Sequence, residues 1–328
     1  IVDSMFVARY SQDALAAVSL AFPIQMLIIA VSVGTAVGVN SLLARRLGEG
    51  RMEEVNQAAQ HGVVLALLSA AVFALFGLGG ARMFANLFTT SEAIASQAAL
   101  YMGIVTVFCF GVFVQIVMER IMQATGNAIY NMVMQGIGAL VNIILDPLII
   151  FGIGPFPRLG IEGAALATGI GQVTPVVIYW IIYKIRPISV KIRPEYLKEG
   201  KNLVGRLYAI GVPAILNLAL PSLLISALNG ILAVYSQSYV VVLGIYYKLQ
   251  TFIYLTANGI VQGMRPIIGF NYGAGEHKRV RKIYEITLIM CAVIMLIGTG
   301  ICLAIPEQLI GLFSSNPETC LLYTSPSP

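Results

Sequence analysis

The 328 residues are 58% hydrophobic and only 11% charged, against about 25% charged in an ordinary soluble domain. The net charge of +5 does not point to nucleic acid, because the basic residues gather in a few short connections between apolar runs. No P-loop, HExxH motif or GxSxG elbow occurs, so ATP-driven pumping and hydrolytic chemistry are not expected of this chain.

Residues 14–44, 62–81, 93–118, 163–183, 207–247 and 286–306 contain no Asp, Glu, Lys or Arg. A helix crosses the hydrocarbon core with about 20 mostly apolar residues, so the chain reads as an all-α polytopic membrane protein. In chain order the spans are a partial helix at 1–8, then 14–42, 60–80, 94–118, 130–153, 162–184, 207–233, 239–268 and 284–305. The stretch 81–93 reads as a connection. Three of the four cysteines lie inside apolar runs and none forms a CxxC pair; they are expected to pack as small hydrophobes.

With connections alternating sides, fifteen of the twenty Lys and Arg residues fall on one side, three on the other (Arg9, Arg82, Arg158) and two, Lys248 and Arg265, inside spans. Basic connections stay in the cytoplasm, which predicts a multi-pass protein of the cell's inner (plasma) membrane with the basic loops cytoplasmic. Glu119–Arg120 reads as a local ion pair at that face and His61 and His277 as solvated, while Tyr179, Trp180 and Tyr183 read as interfacial anchors.

Shifted by 225 residues, the chain aligns with itself without a gap. Tyr10-Ser11-Gln12 meets Tyr235-Ser236-Gln237, Gln25 meets Gln250, Gly34 and Gly38 meet Gly259 and Gly263, and Gly48 and Gly50 meet Gly273 and Gly275. The period holds six spans, an even number, so the two halves share one orientation, the parallel repeat of some transporters. The predicted fold is two pseudo-symmetric six-helix bundles, with about 8.5 of twelve helices in this chain. The expected layout is an amino-terminal lobe at 1–186, a basic cytoplasmic linker at 187–206 and a carboxyl-terminal lobe at 207–319. Ile1 aligns with Ser226 in mid-helix, so some twenty further residues of the first helix are expected upstream, and three helices downstream. The Ser/Pro-rich stretch 320–328 is expected to be foreign to the protein.

Polar groups at membrane depth are the candidate functional residues. Asp146 lies among apolar residues, and a carboxylate there costs about 2.5–3.5 kcal/mol on insertion scales. Asn142 is one turn away on the same helical face. From the predicted outer ends of their helices, Asp3 lies roughly 9 Å deep, Asp146 roughly 12 Å and Thr168 roughly 9 Å. Two carboxylates, an amide and a hydroxyl in one layer suit a proton or a hard cation such as Na⁺, and crowded carboxylates share a proton. No further cofactor or metal is expected. Lys248 is deep in its span and, with Gln25, Gln250 and Tyr247, is a candidate for lining a substrate cavity.

These residues resemble the multidrug and toxic compound extrusion (MATE) transporters. The resemblance lies in residues 1–9 and 14–19, in Gln123-Ala124-Thr125-Gly126-Asn127, in Asn142 to Pro147 with Gly163 to Thr168, and in Pro266 to Gly273. It implies two lobes around a central cavity and export of drugs or metabolites in exchange for H⁺ or Na⁺. It also implies an amino-lobe cation site at Asp3, Asn142, Asp146 and Thr168. The expected function is a secondary antiporter, not an enzyme, working as a monomer in the lipid bilayer on amphipathic small molecules, chiefly organic cations. The alternative is a flippase for lipid-linked oligosaccharides from the same superfamily.

Overall fold

A computed structural model describes residues 2–185, 189–197, 202–235 and 237–305. The side chains of some helical positions, Asp3 and Lys248 among them, lie outside the described residues, as does the whole of 306–328 with the tail at 320–328. The described residues form ten α-helices: α1 (Val2–Tyr10), α2 (Gln12–Gly48), α3 (Met52–Gly79), α4 (Ala81–Phe88), α5 (Glu92–Ala124), α6 (Ala128–Phe151), α7 (Ile161–Ile185), α8 (Leu203–Tyr235), α9 (Gln237–Gly273) and α10 (His277–Ala304), with one 3-10 turn at Pro194–Leu197. Seven stretches are long and apolar enough to cross a bilayer, and the protein is a multi-pass membrane protein. At 1.5 Å per residue the 37 residues of α2 extend about 55 Å, well past a hydrocarbon core of about 30 Å. The helices therefore run further than the apolar spans. The connection expected at 81–93 contains α4, a two-turn helix whose Arg82 pairs with Glu92 at the start of α5.

The repeat is written into the backbone. Moved by 225, the bounds of α2 become those of α9, and the bounds of α3 become those of α10. The turns between them match bond for bond. Glu49 N–H donates to the Arg45 carbonyl and Arg51 N–H to that of Arg46; Ala274 and Glu276 do the same to Phe270 and Asn271. Both turns pass through a glycine in the left-handed region, Gly50 at φ +74° and Gly275 at φ +77°, where a side chain would strain the backbone. In the first turn Glu49 lies among Arg45 (3.0 Å), Arg46 and Arg51 (3.6 Å), and Arg46 also reaches Glu54 (2.9 Å). The Arg46 hydrogen bond, opposed by burial and helped by Arg45 and Arg51, holds the Glu49 carboxyl below its usual range.

The chain divides into two compact units, residues 1–216 and 217–328. In the first, α5 is central and packs against α2, α3, α4, α6 and α7. Its Tyr101 and Phe113 are fully buried, and Phe113 lies against Phe73 of α3 at 5.8 Å between rings. Apolar burial does not drive helices together inside lipid, so close approach relies on small residues. Accordingly Ala58, Ala59, Ala66 and Ala70 of α3 and Ala95 and Ala98 of α5 are buried, while Leu68, Val72 and Leu75 of α3 are exposed, as a lipid-facing surface requires. Gly34 and Gly38 of α2 serve the same end. A Cβ on Gly38 would fall 2.3 Å from the Leu207 carbonyl oxygen at the start of α8, and one on Gly34 would fall 2.9 Å from that of Gly211. Residues 189–197 lie against the start of α3: Val190 is buried, Lys191 N–H donates to Asn56 Oδ1 (2.7 Å) and Ile192 N–H to the Tyr183 hydroxyl (2.9 Å). In the second unit α9 packs on α10, with Gly298 seated against Ile253.

Three expectations about polar and aromatic side chains are corrected here. His61 is buried within α3, its Nδ1 2.8 Å from the Gln57 carbonyl, because α3 begins at Met52, eight residues before the predicted span. His277 is exposed, as expected. Tyr179 is fully buried rather than interfacial, since its hydroxyl finds a partner on α6. Trp180 is the exposed neighbour, with the Lys184 ammonium 3.8 Å over its ring. The carboxylate of Glu119 is held by amides, and Arg120 donates to Gln123 (2.7 Å).

Candidate functional site: a polar seam in the amino-terminal lobe

Asn131, Gln135, Gly138, Asn142 and Asp146 fall at spacings of four, three, four and four along α6, which puts them on one face of a helix. Thr168, Gln172, Pro175 and Tyr179 do the same on α7. The two helices run antiparallel and bring these faces together. The Tyr179 hydroxyl donates to Asn131 Oδ1 (3.2 Å) at one end. A Cβ on Gly171 would meet that of Asn142 at 2.9 Å in the middle, and one on Gly163 would meet the Ile149 carbonyl oxygen at 2.8 Å at the far end.

Three of the four expected ion-site residues meet in this seam. Asn142 Nδ2 donates to Asp146 Oδ1 (3.2 Å) and reaches Thr168 Oγ1 at 3.5 Å. Asp146 is fully buried, while Asn142 and Thr168 are half-buried. The geometry is local in origin. Residues 142 and 146 are one turn apart, and the small Gly163 and Gly171 let α7 come close enough to α6 for Thr168 to join them. Pro147 follows Asp146 and removes the amide that would bond the Ile143 carbonyl, leaving backbone oxygen as well as carboxylate at this level. Asp3 is carried by α1, which packs on α6 and α7; Phe6 meets Phe151 edge-on at 6.4 Å, and the Arg158 guanidinium sits 5.4 Å over the Tyr10 ring. Chemically, the three described residues offer a carboxylate, an amide and a hydroxyl, an oxygen-rich set suited to a proton or an alkali cation.

The candidate cavity residues fall in both units of the chain. Gln25 donates to the Tyr101 hydroxyl (3.1 Å) and lines a cavity of about 160 Å³ with Ile28 of α2, Val105, Cys109 and Val112 of α5, and Gln172 of α7. Gln250 is exposed and Tyr247 half-buried on α9 in the second unit; the Lys248 side chain lies outside the described residues. Sequence reading missed the amide shell around Glu119, which is 5% exposed. Gln135 donates to both its oxygens (3.2 and 3.1 Å) and Gln115 to one (2.9 Å). The recurrence of Asn142, Gln135 and Asn131 at 4, 11 and 15 residues before Asp146, all on one helical face, was the available signal.

The family profile MatE matches residues 1–148 and 213–325. The chain is 26% identical to the FAD transporter of Shewanella oneidensis over 321 residues, covering 97% of this chain and 70% of that protein. It is 24% identical to the multidrug export protein MepA of Staphylococcus haemolyticus over 310 residues, covering 94% of this chain and 68% of that one. Its fold matches a crystal structure of MATE in the straight conformation with a TM-score of 0.88 at 24% identity, over 98% of this chain and 72% of the other. It also matches an outward-facing multidrug resistance MATE transporter at 0.86 and 23%, over 98% and 71%. A repeated bundle of membrane-length helices, a buried carboxylate beside an amide and a hydroxyl, and a profile match across most of the sequence agree: this chain belongs to the MATE family of membrane transporters.

Proposed function

We propose that the protein is a secondary antiporter that exports amphipathic small molecules, organic cations among them, in exchange for H⁺ or Na⁺. The observation that carries this is the buried Asp146 hydrogen-bonded to Asn142, with Thr168 beside them. Asp3, carried by the neighbouring α1, is kept as the fourth member expected from the sequence. An ionisable group at membrane depth is expensive and is retained where an ion comes and goes. Binding of the ion repacks α6 and α7 around their small residues and releases substrate outward. The basic turn at residues 45–54 faces the cytoplasm of a plasma-membrane protein in this reading.

The cavity beside the seam supports an amphipathic substrate: apart from Gln25 and Gln172 its lining is apolar. The name of the Shewanella relative favours a second cargo, a flavin dinucleotide. Dye efflux in everted vesicles, with pH and sodium gradients imposed separately, tests the proposal. Asp146→Asn abolishes gradient-driven efflux while the protein still inserts; unchanged efflux refutes the ion site. Competition by FAD separates the two cargoes, and no MATE property requires the lipid-linked oligosaccharide.

A further inference from the structure

Val177, Trp180, Ile181, Lys184 and Ile185 recur at i, i+3, i+4, i+7 and i+8 along α7, so they share one helical face. All five are exposed, while Pro175 and Tyr179 are buried within the lobe. An exposed apolar stripe on a membrane-spanning helix is a surface for acyl chains. This one ends in a cation. The Lys184 ammonium lies 3.8 Å over the Trp180 ring, a pair that suits the headgroup level, where tryptophan anchors and lysine snorkels. Two more cations are carried to this end of α7 by backbone bonds. Ile192 N–H is tied to the hydroxyl of Tyr183, the residue before Lys184, and Lys191 N–H to Asn56 of α3. The side chains of Lys191 and Arg193, on either side of Ile192, are exposed. None of the three cations forms an ion pair among the described residues. In the turn at residues 45–54, by contrast, Arg45, Arg46 and Arg51 are each paired with Glu49 or Glu54. Residues 184–197 hold four basic residues and one acid, Glu195, so their surplus charge is left for a partner outside the chain.

We propose that the end of α7 and the 189–197 segment form a docking site for an anionic phospholipid of the surrounding bilayer. Lys184, Lys191 and Arg193 hold its phosphate, and an acyl chain lies along Val177, Trp180 and Ile181. The stripe favours a lipid over a free phosphate ion, since a soluble anion buries no apolar surface there. Basic residues at a membrane surface attract anionic headgroups, each by about fivefold. The guanidinium of Arg193 suits two phosphate oxygens at once, and the ammonium groups act as point charges. The site is separate from the ion site: Gly171 and Tyr179, which meet α6, lie on the buried side of α7.

Trp180 is the only tryptophan of the 328-residue chain, so its fluorescence reports on this site directly. The chain is reconstituted into vesicles of phosphatidylcholine and phosphatidylglycerol in equal parts. One lipid or the other carries bromines on its acyl chains, which quench tryptophan on contact. Brominated phosphatidylglycerol is expected to quench Trp180 more strongly than brominated phosphatidylcholine. Lys191→Gln together with Arg193→Gln lowers that preference by about fivefold or more, whereas Arg45→Gln, a cation already paired with Glu49, leaves it unchanged. Raising the salt to about 0.5 M weakens the preference of the unaltered chain, a readout that needs no variant to fold. Equal quenching by the two lipids overturns the site, as does a preference that survives the double substitution or high salt. An equal loss on Arg45→Gln assigns the effect to overall charge and overturns it too. Reversal of the quenching by millimolar inorganic phosphate assigns the cations to a free anion, against the lipid.

Discussion

Gly38 and Gly263 occupy the same place in the repeat and should respond differently to a methyl group. On Gly38 a Cβ would sit 2.3 Å from the Leu207 carbonyl oxygen and 3.1 Å from its carbon, both backbone atoms. Around Gly263 nothing lies within 4 Å. Ordinary contact begins near 3.4 Å, so α8 must retreat from α2 by about 1 Å, and Gly34 then loses its packing on Gly211 as well. Alanine is favoured over glycine inside a helix by about 1 kcal/mol, and this gain is common to both sites. The difference between Gly38→Ala and Gly263→Ala therefore isolates the clash, about 1–3 kcal/mol for overpacking. Thermal unfolding in detergent of the two variants and the wild type measures it: Gly263→Ala is neutral or stabilising, and Gly38→Ala falls below it. Equal stabilities would refute the close crossing of α2 and α8.

Asn56→Ala removes the acceptor for the Lys191 amide and leaves a donor unpaired, worth about 1–3 kcal/mol locally; trypsin then cleaves after Lys191 faster than in the wild type, with the rest of the digest unchanged. Tyr179→Phe deletes the hydroxyl that bonds Asn131 and lowers the melting midpoint by an amount equivalent to about 1 kcal/mol, whereas Trp180→Phe on the exposed side does not. Glu49 titrates below its usual value of 4.5 in the folded state. Its contribution is thus complete above the unfolded value and lost as pH falls through the lower folded one. Glu49→Gln destabilises by about 1 kcal/mol at pH 7, and the gap to the wild type closes in acid; a gap independent of pH contradicts the ion cluster.

The membrane spans and the duplication were legible because both are carried by composition and register, which need no tertiary contact to read. The meeting of Asn142, Asp146 and Thr168 was legible because Asn142 and Asp146 are helical neighbours and only Thr168 had to be brought from elsewhere. What hid was everything decided by the partner helix. Tyr179 looks like an interfacial aromatic until Asn131 is found opposite its hydroxyl. Glu119 looks like half of an ion pair with its neighbour, yet its carboxylate answers to Gln135 on another helix. α4 escaped because eight residues give too few turns for periodicity to register. Gly38 and Gly263, identical in the pattern, differ in what lies against them.

The paired turns at residues 45–55 and 270–280 share every backbone bond described above, but their decoration has drifted apart. Where the first has Glu49 within a ring of arginines, the second has Ala274, and Asn271 replaces Arg46. Descent has kept the hinge-like bend and let its electrostatics go. Acidification consequently discharges Glu49 at the close of α2, while the same position after α9 holds Ala274 and has no carboxylate to lose, so two turns built on one plan answer pH differently.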